Sequence, residues 1–315
     1  VQTLTLHQGE FHVPVLVREV VAHLLTGPPG MIVDATLGDG GHSLALLESG
    51  PPRLQLIGID VDPQSLAAAQ QRLAKFAGRC SLKLGNFRQI AGLLATMGVS
   101  SVAGVLADLG ISSRQIDLPE RGFSYLDEGP LDLRLNPSLP QTAAELLAAL
   151  EQDELVRLLR DYGEERQARA IARAIVQQRR RQTIRTTTDL RLIIEGVVRG
   201  PHRIKAIARV FQALRIAVND ELQALREFLT QAFDCLAPGG RLAVISYHSL
   251  EDRIVKDFFR SQARSCTCPP ELPVCVCGRQ SLAVVLTPRP ITPTPEEIAA
   301  NRRSRSAKLR VLQKR

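Results

Sequence analysis

Tryptophan is missing from this 315-residue chain, and Phe, Trp and Tyr together make up only 4% of it. A core built from such a chain has to rest on Leu, Ile, Val and Ala. No run of about 18 apolar residues occurs, which excludes a membrane-spanning helix. The first residues also lack the charged lead and apolar run of a secretory signal. Cysteine is scarce: Cys80, Cys235, and a cluster of Cys266, Cys268, Cys275 and Cys277. Two isolated thiols do not make the disulfide scaffold of a secreted domain, so a reducing, cytoplasmic location is expected. The remaining composition, 44% hydrophobic and 23% charged, is that of a folded globular chain and excludes bulk disorder. The length suits one large domain or two unequal ones.

One long stretch also lacks acid. From Arg166 to Val218, 13 Lys and Arg face only Asp189 and Glu195, a net of +11. From Arg302 to Arg315 there are seven basic residues and no acid, and the rest of the chain nets −10. A solvated helix face usually interleaves both signs. Clustering of one sign suits a phosphate-rich partner, because Lys and Arg release counterions from nucleic acid. Arg179, Arg180 and Arg181, with Arg303 and Arg305 in the tail, are the candidate RNA contacts.

Short apolar runs at Met31–Ala35, Leu54–Ile59, Leu82–Leu84 and Val102–Leu106 alternate with helical patterns, which predicts βαβ units and a mostly parallel sheet. The alternation stops after a loop from Gly110 to Pro140. Thr142-Ala143-Ala144-Glu145 is a capping box that opens a helical tract running to Arg181. Further helical patterns cover Thr188–Val198 and Ile204–Leu236. Pro238-Gly239-Gly240 punctuates the chain before strand patterns at Arg241–Ser246 and Leu282–Leu286, and a short helix starts at Thr294. The parse is an α/β sheet domain from 1–115 and 210–315, interrupted by a basic helical insertion from 116–209.

The first strand leads into Gly38-Asp39-Gly40-Gly41, and Asp60 ends the second strand. Glycines let the backbone turn and approach a ligand, while a carboxylate at that distance accepts hydrogen bonds from ribose hydroxyls. Two cofactor classes fit. A dinucleotide site wants a third glycine where this chain has Ser43. Asp34 and Asp39 would repel a pyrophosphate but suit an amino acid bearing a sulfonium, as in S-adenosylmethionine. Asp108 ends the fourth strand, at the edge where open α/β sheets bind ligands. Ser246-Tyr247-His248-Ser249 lacks the Gly-x-Ser-x-Gly elbow, and adjacent His and Ser cannot face each other as a triad does, so a hydrolase is disfavoured. The cysteine pairs leave one residue inside each pair, tighter than the usual zinc spacing, and no metal ligand is assigned.

Several blocks carry a resemblance. They are His12–Leu16, Asp34–Ser43, Asp108–Ser113, Glu120–Ser124, Gly129–Asp132, Tyr162–Arg166, Ser246–Arg253 and Arg303–Ala307. Together, and in order along nearly the whole chain, they resemble the MraW family of small-subunit ribosomal RNA methyltransferases. The resemblance implies a class I, Rossmann-like methyltransferase sheet with an inserted all-helical domain. It implies S-adenosyl-L-methionine as cofactor and methylation of the exocyclic N4 of a decoding-site (P-site) cytidine in 16S rRNA. Carried over by motif, Gly40, Gly41, His42, Asp60, Phe87, Asp108 and Gln115 are expected to contact the cofactor. Asp108, Ser112, Ser113, Tyr247 and His248 are the expected catalytic set. The partner implied is 16S rRNA within the assembled or assembling small subunit, with no membrane and no obligate protein partner. Many amino-methyltransferases follow the acid with Pro-Pro-aromatic. Here Leu109-Gly110-Ile111 follows Asp108, which leaves Phe123, Tyr125 and Tyr247 as stacking candidates. The competing readings are a dinucleotide-dependent oxidoreductase and a non-catalytic RNA-binding assembly factor.

Overall fold

The described residues are 13–266, 268 and 277–315 of a computed structural model; His12 and Cys275 lie outside them. Contacts divide the chain into two units, Val1–Gly110 with Ala224–Arg315, and Ile111–Gln223. The first unit begins with α1 (Val17–Leu25), β1 (Ile32–Asp34), α2 (Gly41–Ser49), β2 (Leu56–Asp60), α3 (Pro63–Arg72), β3 (Cys80–Leu84), α4 (Ile90–Thr96) and β4 (Val102–Asp108). The inserted unit carries α5 (Ser113–Asp117), α6 (Ala143–Ala149), α7 (Gln152–Asp161), α8 (Ala168–Arg179), α9 (Thr187–Val197) and α10 (Arg203–Asn219). The chain returns through α11 (Glu221–Cys235) to β5 (Leu236–Ser246), α12 (Ser249–Ala263), β6 (Ala283–Val285), α13 (Pro295–Ala300) and β7 (Lys308–Lys314).

Seven strands of the described residues form one sheet in the order β3-β2-β1-β4-β5-β7-β6. The first five are parallel; β7 runs antiparallel to both β5 and β6. Strands covered on both faces read as unbroken apolar runs, and Val102–Ala107 is buried throughout. Residue alternation then sorts the faces. Ile32, Leu56, Leu106 and Ala243 pack with Val20, Leu46 and Ala69 from α1, α2 and α3. Val33, Ile57, Val105 and Val244 pack with Leu94, Phe228 and Phe259 from α4, α11 and α12. The two phenylalanines, both fully buried, supply bulk that tryptophan does not. Among the described residues no helix is long and apolar enough to cross a membrane.

The tail differs from its expectation as a cationic arm. β7 lies between β5 and β6 with Leu309, Val311 and Leu312 fully buried. Arg310 Nε donates to Asp252 Oδ1 at 2.6 Å, and Lys308 Nζ donates to Asp252 Oδ2 at 3.2 Å. Lys314 Nζ donates to the carbonyls of Phe233 and Asp234. These three cations serve the sheet unit, whereas Arg303 and Arg305 sit on an exposed 3-10 turn. Pro238-Gly239-Gly240 also behaves differently: β5 runs through it, with Gly239 at φ 76° and a register shift against β4.

In the inserted unit, Leu147, Leu155, Leu159, Ile171, Ile175, Leu190, Ile194, Val210 and Leu214 form one dry core. The tract expected as one helix is three. A second capping box, Glu151 with Glu154, restarts the chain as α7. At Gly163 a Cβ would come 2.7 Å from the Leu159 carbonyl and 2.8 Å from that of Arg209, so only glycine allows this close approach. The insertion was expected to end at 209, but α10 continues unbroken to Asn219, and the unit extends to Gln223.

Candidate active site

After β1 the chain turns through Gly38, φ 52°, and Gly40, φ 77°, into α2. A Cβ on Gly40 would press on Ala69 and Leu73 at 3.3 Å, whereas one on Gly38 would meet nothing within 4 Å. The loop is therefore packed behind Gly40 and open at Gly38. Asp60 braces it: Oδ2 accepts the Gly38 N–H at 2.7 Å and Oδ1 accepts the Asp62 N–H at 2.8 Å. Each oxygen keeps a lone pair for a further donor. Burial pushes the Asp60 carboxyl up to about 6. Asp34, 1% exposed, accepts the Ser43 hydroxyl at 2.7 Å on Oδ2, while Oδ1 has no aligned partner. Burial raises its carboxyl as well.

Asp108 ends β4 beside β1, where the strand order of the sheet reverses and ligands of such sheets bind. Its backbone N–H donates to the Thr36 hydroxyl at 2.7 Å. Its carboxylate is a hub: His42 Nε2 lies 3.4 Å from Oδ2, and the Tyr247 hydroxyl hydrogen-bonds to it. Burial, then the neighbouring Asp108 charge, holds the Tyr247 phenol well above its ordinary value. The Tyr247 ring covers Gly110, where a Cβ would come 2.8 Å from Cε2. Glycine in Leu109-Gly110-Ile111 thus makes room for an aromatic delivered from the end of β5. Glu251, 3% exposed, accepts the Tyr247 N–H at 2.9 Å and faces His248 Nε2 at 3.1 Å. His248, the N-cap residue of α12, turns to Glu251. Phe87 follows β3 and meets Phe228 edge-on, ring centroids 5.0 Å apart.

The structure thus gathers Gly40, Gly41, His42, Asp60, Asp108 and Tyr247 at the C-terminal edge of the sheet, with Phe87 at the end of the neighbouring strand. Ser112, Ser113 and Gln115 belong to the inserted unit. There the Gln115 N–H donates to Ser112 Oγ and the Ser112 N–H to Gln115 Oε1, both at 3.2 Å, while Ser113 opens α5. Three positioning residues were not read as such from sequence: Thr36, Glu251, and Ser43, which was noted only as standing in place of a third glycine. All lie inside the motif blocks, and Glu251, at the third position of α12, also accepts the His248 backbone N–H at 3.4 Å.

The basic segment also separates into roles. Arg179 donates to the carbonyls of Leu147 and Leu150, both at 2.6 Å, so it closes the end of α6. Arg215 pairs bidentately with Glu221 at 2.8 Å. Arg166, Arg169, Arg173, Arg180, Arg181 and Arg185 are exposed. The inserted unit as a whole nets only +2, because 111–165 and 219–223 together net −9. Most of the −10 counted outside the two basic segments therefore lies in the insertion, and the sheet unit without residues 302–315 nets −1.

A glycine turn after β1, a carboxylate ending β2 and a further acid at the strand-order switch define a nucleotide-cofactor enzyme of the doubly wound α/β class. Residues 9–315 match the MraW methylase family. A protein of Heliobacterium mobile named ribosomal RNA small subunit methyltransferase H is 50% identical over 310 residues, covering 96% of this chain and 98% of that one. A protein of the same name from Geobacter sulfurreducens is 49% identical over 306 residues, with the same coverage. A solved rRNA methylase from Streptococcus thermophilus aligns over 94% of this chain and 92% of its own, at 13% identity and a TM-score of 0.40. The chain belongs to the MraW methylase family. With membership come its activity class, an rRNA methyltransferase, and its methyl donor, S-adenosyl-L-methionine. The residues present fit that donor. The buried Asp34 oxygen and the neighbouring carboxylates suit a sulfonium and an ammonium, and the space at Gly38 is open.

Proposed function

We propose that the chain methylates the exocyclic N4 of a decoding-site cytidine in 16S rRNA, acting in the cytoplasm on the assembled or assembling small subunit. The observation that carries this reading is the Asp108 carboxylate beside the glycine loop, hydrogen-bonded by the Tyr247 hydroxyl and with His42 Nε2 3.4 Å from its Oδ2. When bound, S-adenosyl-L-methionine supplies a methyl group activated by its sulfonium. A cytosine amine is a poor nucleophile because its lone pair is delocalised into the ring. Asp108 accepts a hydrogen bond from the amine, directs the lone pair and stabilises the positive charge that develops on nitrogen. The Tyr247 hydroxyl orients the carboxylate, and Glu251 accepts the backbone N–H of Tyr247. The backbone of Gly40, Gly41 and His42 receives the amino-acid part of the cofactor, Asp60 its ribose and Phe87 its adenine. His248 acts through α12, whose first turn it caps. Ser112, Ser113 and Gln115 enter the site on the resemblance alone. The exposed arginines of the insertion, Arg180 and Arg181 among them, hold the RNA backbone, joined by Arg303 and Arg305 of the sheet unit.

The test is nucleoside mapping of 16S rRNA from cells with and without the protein, followed by methylation of purified small subunits and of naked 16S rRNA. A decoding-site N4-methylcytidine that disappears without the protein and returns on its addition supports the reading. An unchanged decoding site, with the lost methyl group elsewhere, overturns it.

A further inference from the structure

In the connection between α12 and β6 the described residues are 264–266, 268 and 277–282, and none of them is among those assigned to methyl transfer. α12 starts at the C-terminal edge of the sheet with His248, and its 15 residues carry the chain about 22 Å away. The ends of the connection are tied together: the Leu282 N–H donates to the Gln262 carbonyl at 3.0 Å, and Arg279 donates to the Ser261 carbonyl at 2.8 Å. Inside that closure the thiol sulfurs of Cys266, Cys268 and Cys277 all lie within 4.8 Å of one another.

We infer that these three thiols form a structural zinc site. The Cys266 and Cys277 sulfurs are 3.8 Å apart. Two thiolates bound at about 2.3 Å on a tetrahedral ion stand about 3.8 Å apart, whereas a disulfide needs about 2.05 Å. The Cys268 N–H points at the Cys266 sulfur, 3.4 Å away, the kind of donor that steadies a metal-bound thiolate. Gly278 follows at φ 58°, so the chain can turn directly after the Cys277 ligand. The one-residue spacing that argued against a metal is no obstacle here, because the Cys266 and Cys268 sulfurs already lie within 4.8 Å of each other and of the Cys277 sulfur. Three thiolates select a soft, tetrahedral ion and leave one position for a further ligand. Cys275 lies outside the described residues, and the site as stated does not use it. The ion would staple the connection far from Asp108, so its function is to hold this end of the sheet unit together.

Metal analysis of protein purified without chelator, in reducing buffer, tests this. About one zinc per chain is expected for wild type and for Cys80→Ser, and less than about a tenth for Cys266→Ser and for Cys277→Ser. Co2+ added to the metal-free wild type should give the thiolate charge-transfer band and the intense visible bands of a tetrahedral site. Chelation should lower the melting temperature of wild type but not of Cys277→Ser, while methyl transfer at low temperature persists in both. Wild type that neither carries zinc nor takes up Zn2+ or Co2+ overturns the inference, as does a native Cys266–Cys277 disulfide in reducing buffer.

Discussion

The sheet unit and the inserted unit arrange their charge in opposite ways. The sheet unit is nearly balanced before its last strand, yet it ends β1, β2 and β4 on Asp34, Asp60 and Asp108. The insertion also nets close to zero, but its acids and bases are segregated along the chain, −9 in one part and +11 in the other. Net charge, +6 for the whole sheet unit and +2 for the insertion, would rank the sheet unit as the more basic. Position separates them: the carboxylates that end β1, β2 and β4 are the ones proposed to meet the cofactor and the base, and the exposed arginines of the insertion are the ones proposed to meet the RNA.

Removing the hub should have the largest effect. Asp108→Ala is expected to lower single-turnover methyl transfer by about a hundredfold or more, with a far smaller change in cofactor affinity by calorimetry. Near-wild-type transfer would place the chemistry elsewhere. Next, Asp252→Ala leaves the buried Arg310 without its carboxylate and should cost about 3 kcal/mol in denaturant unfolding. A neutral result would mean that β7 is held by its ladder and its buried leucines and not by this ion pair.

Asp60→Ala should weaken cofactor binding by about 1–3 kcal/mol. Its pH dependence has a definite sign. Burial raises the folded carboxyl to about 6, so between pH 4 and 6 the folded state holds a proton that the unfolded chain has lost. Stability attributable to this group therefore falls as pH rises through that window, while affinity for ribose donors rises. Asp60→Asn should flatten both trends in paired melting and calorimetric series. The smallest effect belongs to the arginines. Arg180→Ala with Arg181→Ala should reduce the salt slope of RNA binding by about 0.7–0.9 per residue. Arg179→Ala should instead lower stability, because two carbonyls lose their donor.

Much of this was legible before any coordinates. The apolar run Val102–Leu106 reads as a strand from its place in the strand–helix alternation, and Gly38 to Asp60 marks a ligand loop with its distal acid, although it does not say that Asp60 braces the loop. β7 was not legible, because counting charge over Arg302–Arg315 hid the apolar Leu309, Val311 and Leu312 among basic residues whose partners are distant in sequence. The break at Gly163 was hidden for a similar reason: its cause is the Arg209 carbonyl, on another helix. Within the site, the motif residues were visible but their mutual roles were not. Nothing in the sequence says that the Tyr247 hydroxyl bonds to Asp108, or that Glu251 holds the backbone of Tyr247.

The division of labour between the two units is tested most directly by one assay, single-turnover methyl transfer against small-subunit concentration for wild type, Asp108→Ala and the Arg180/Arg181 double variant. Asp108→Ala should lower the plateau and keep the half-saturating concentration. The arginine variant should raise the half-saturating concentration and keep the plateau. Both variants moving the same parameter would contradict a sheet unit that does the chemistry and an insertion that holds the RNA.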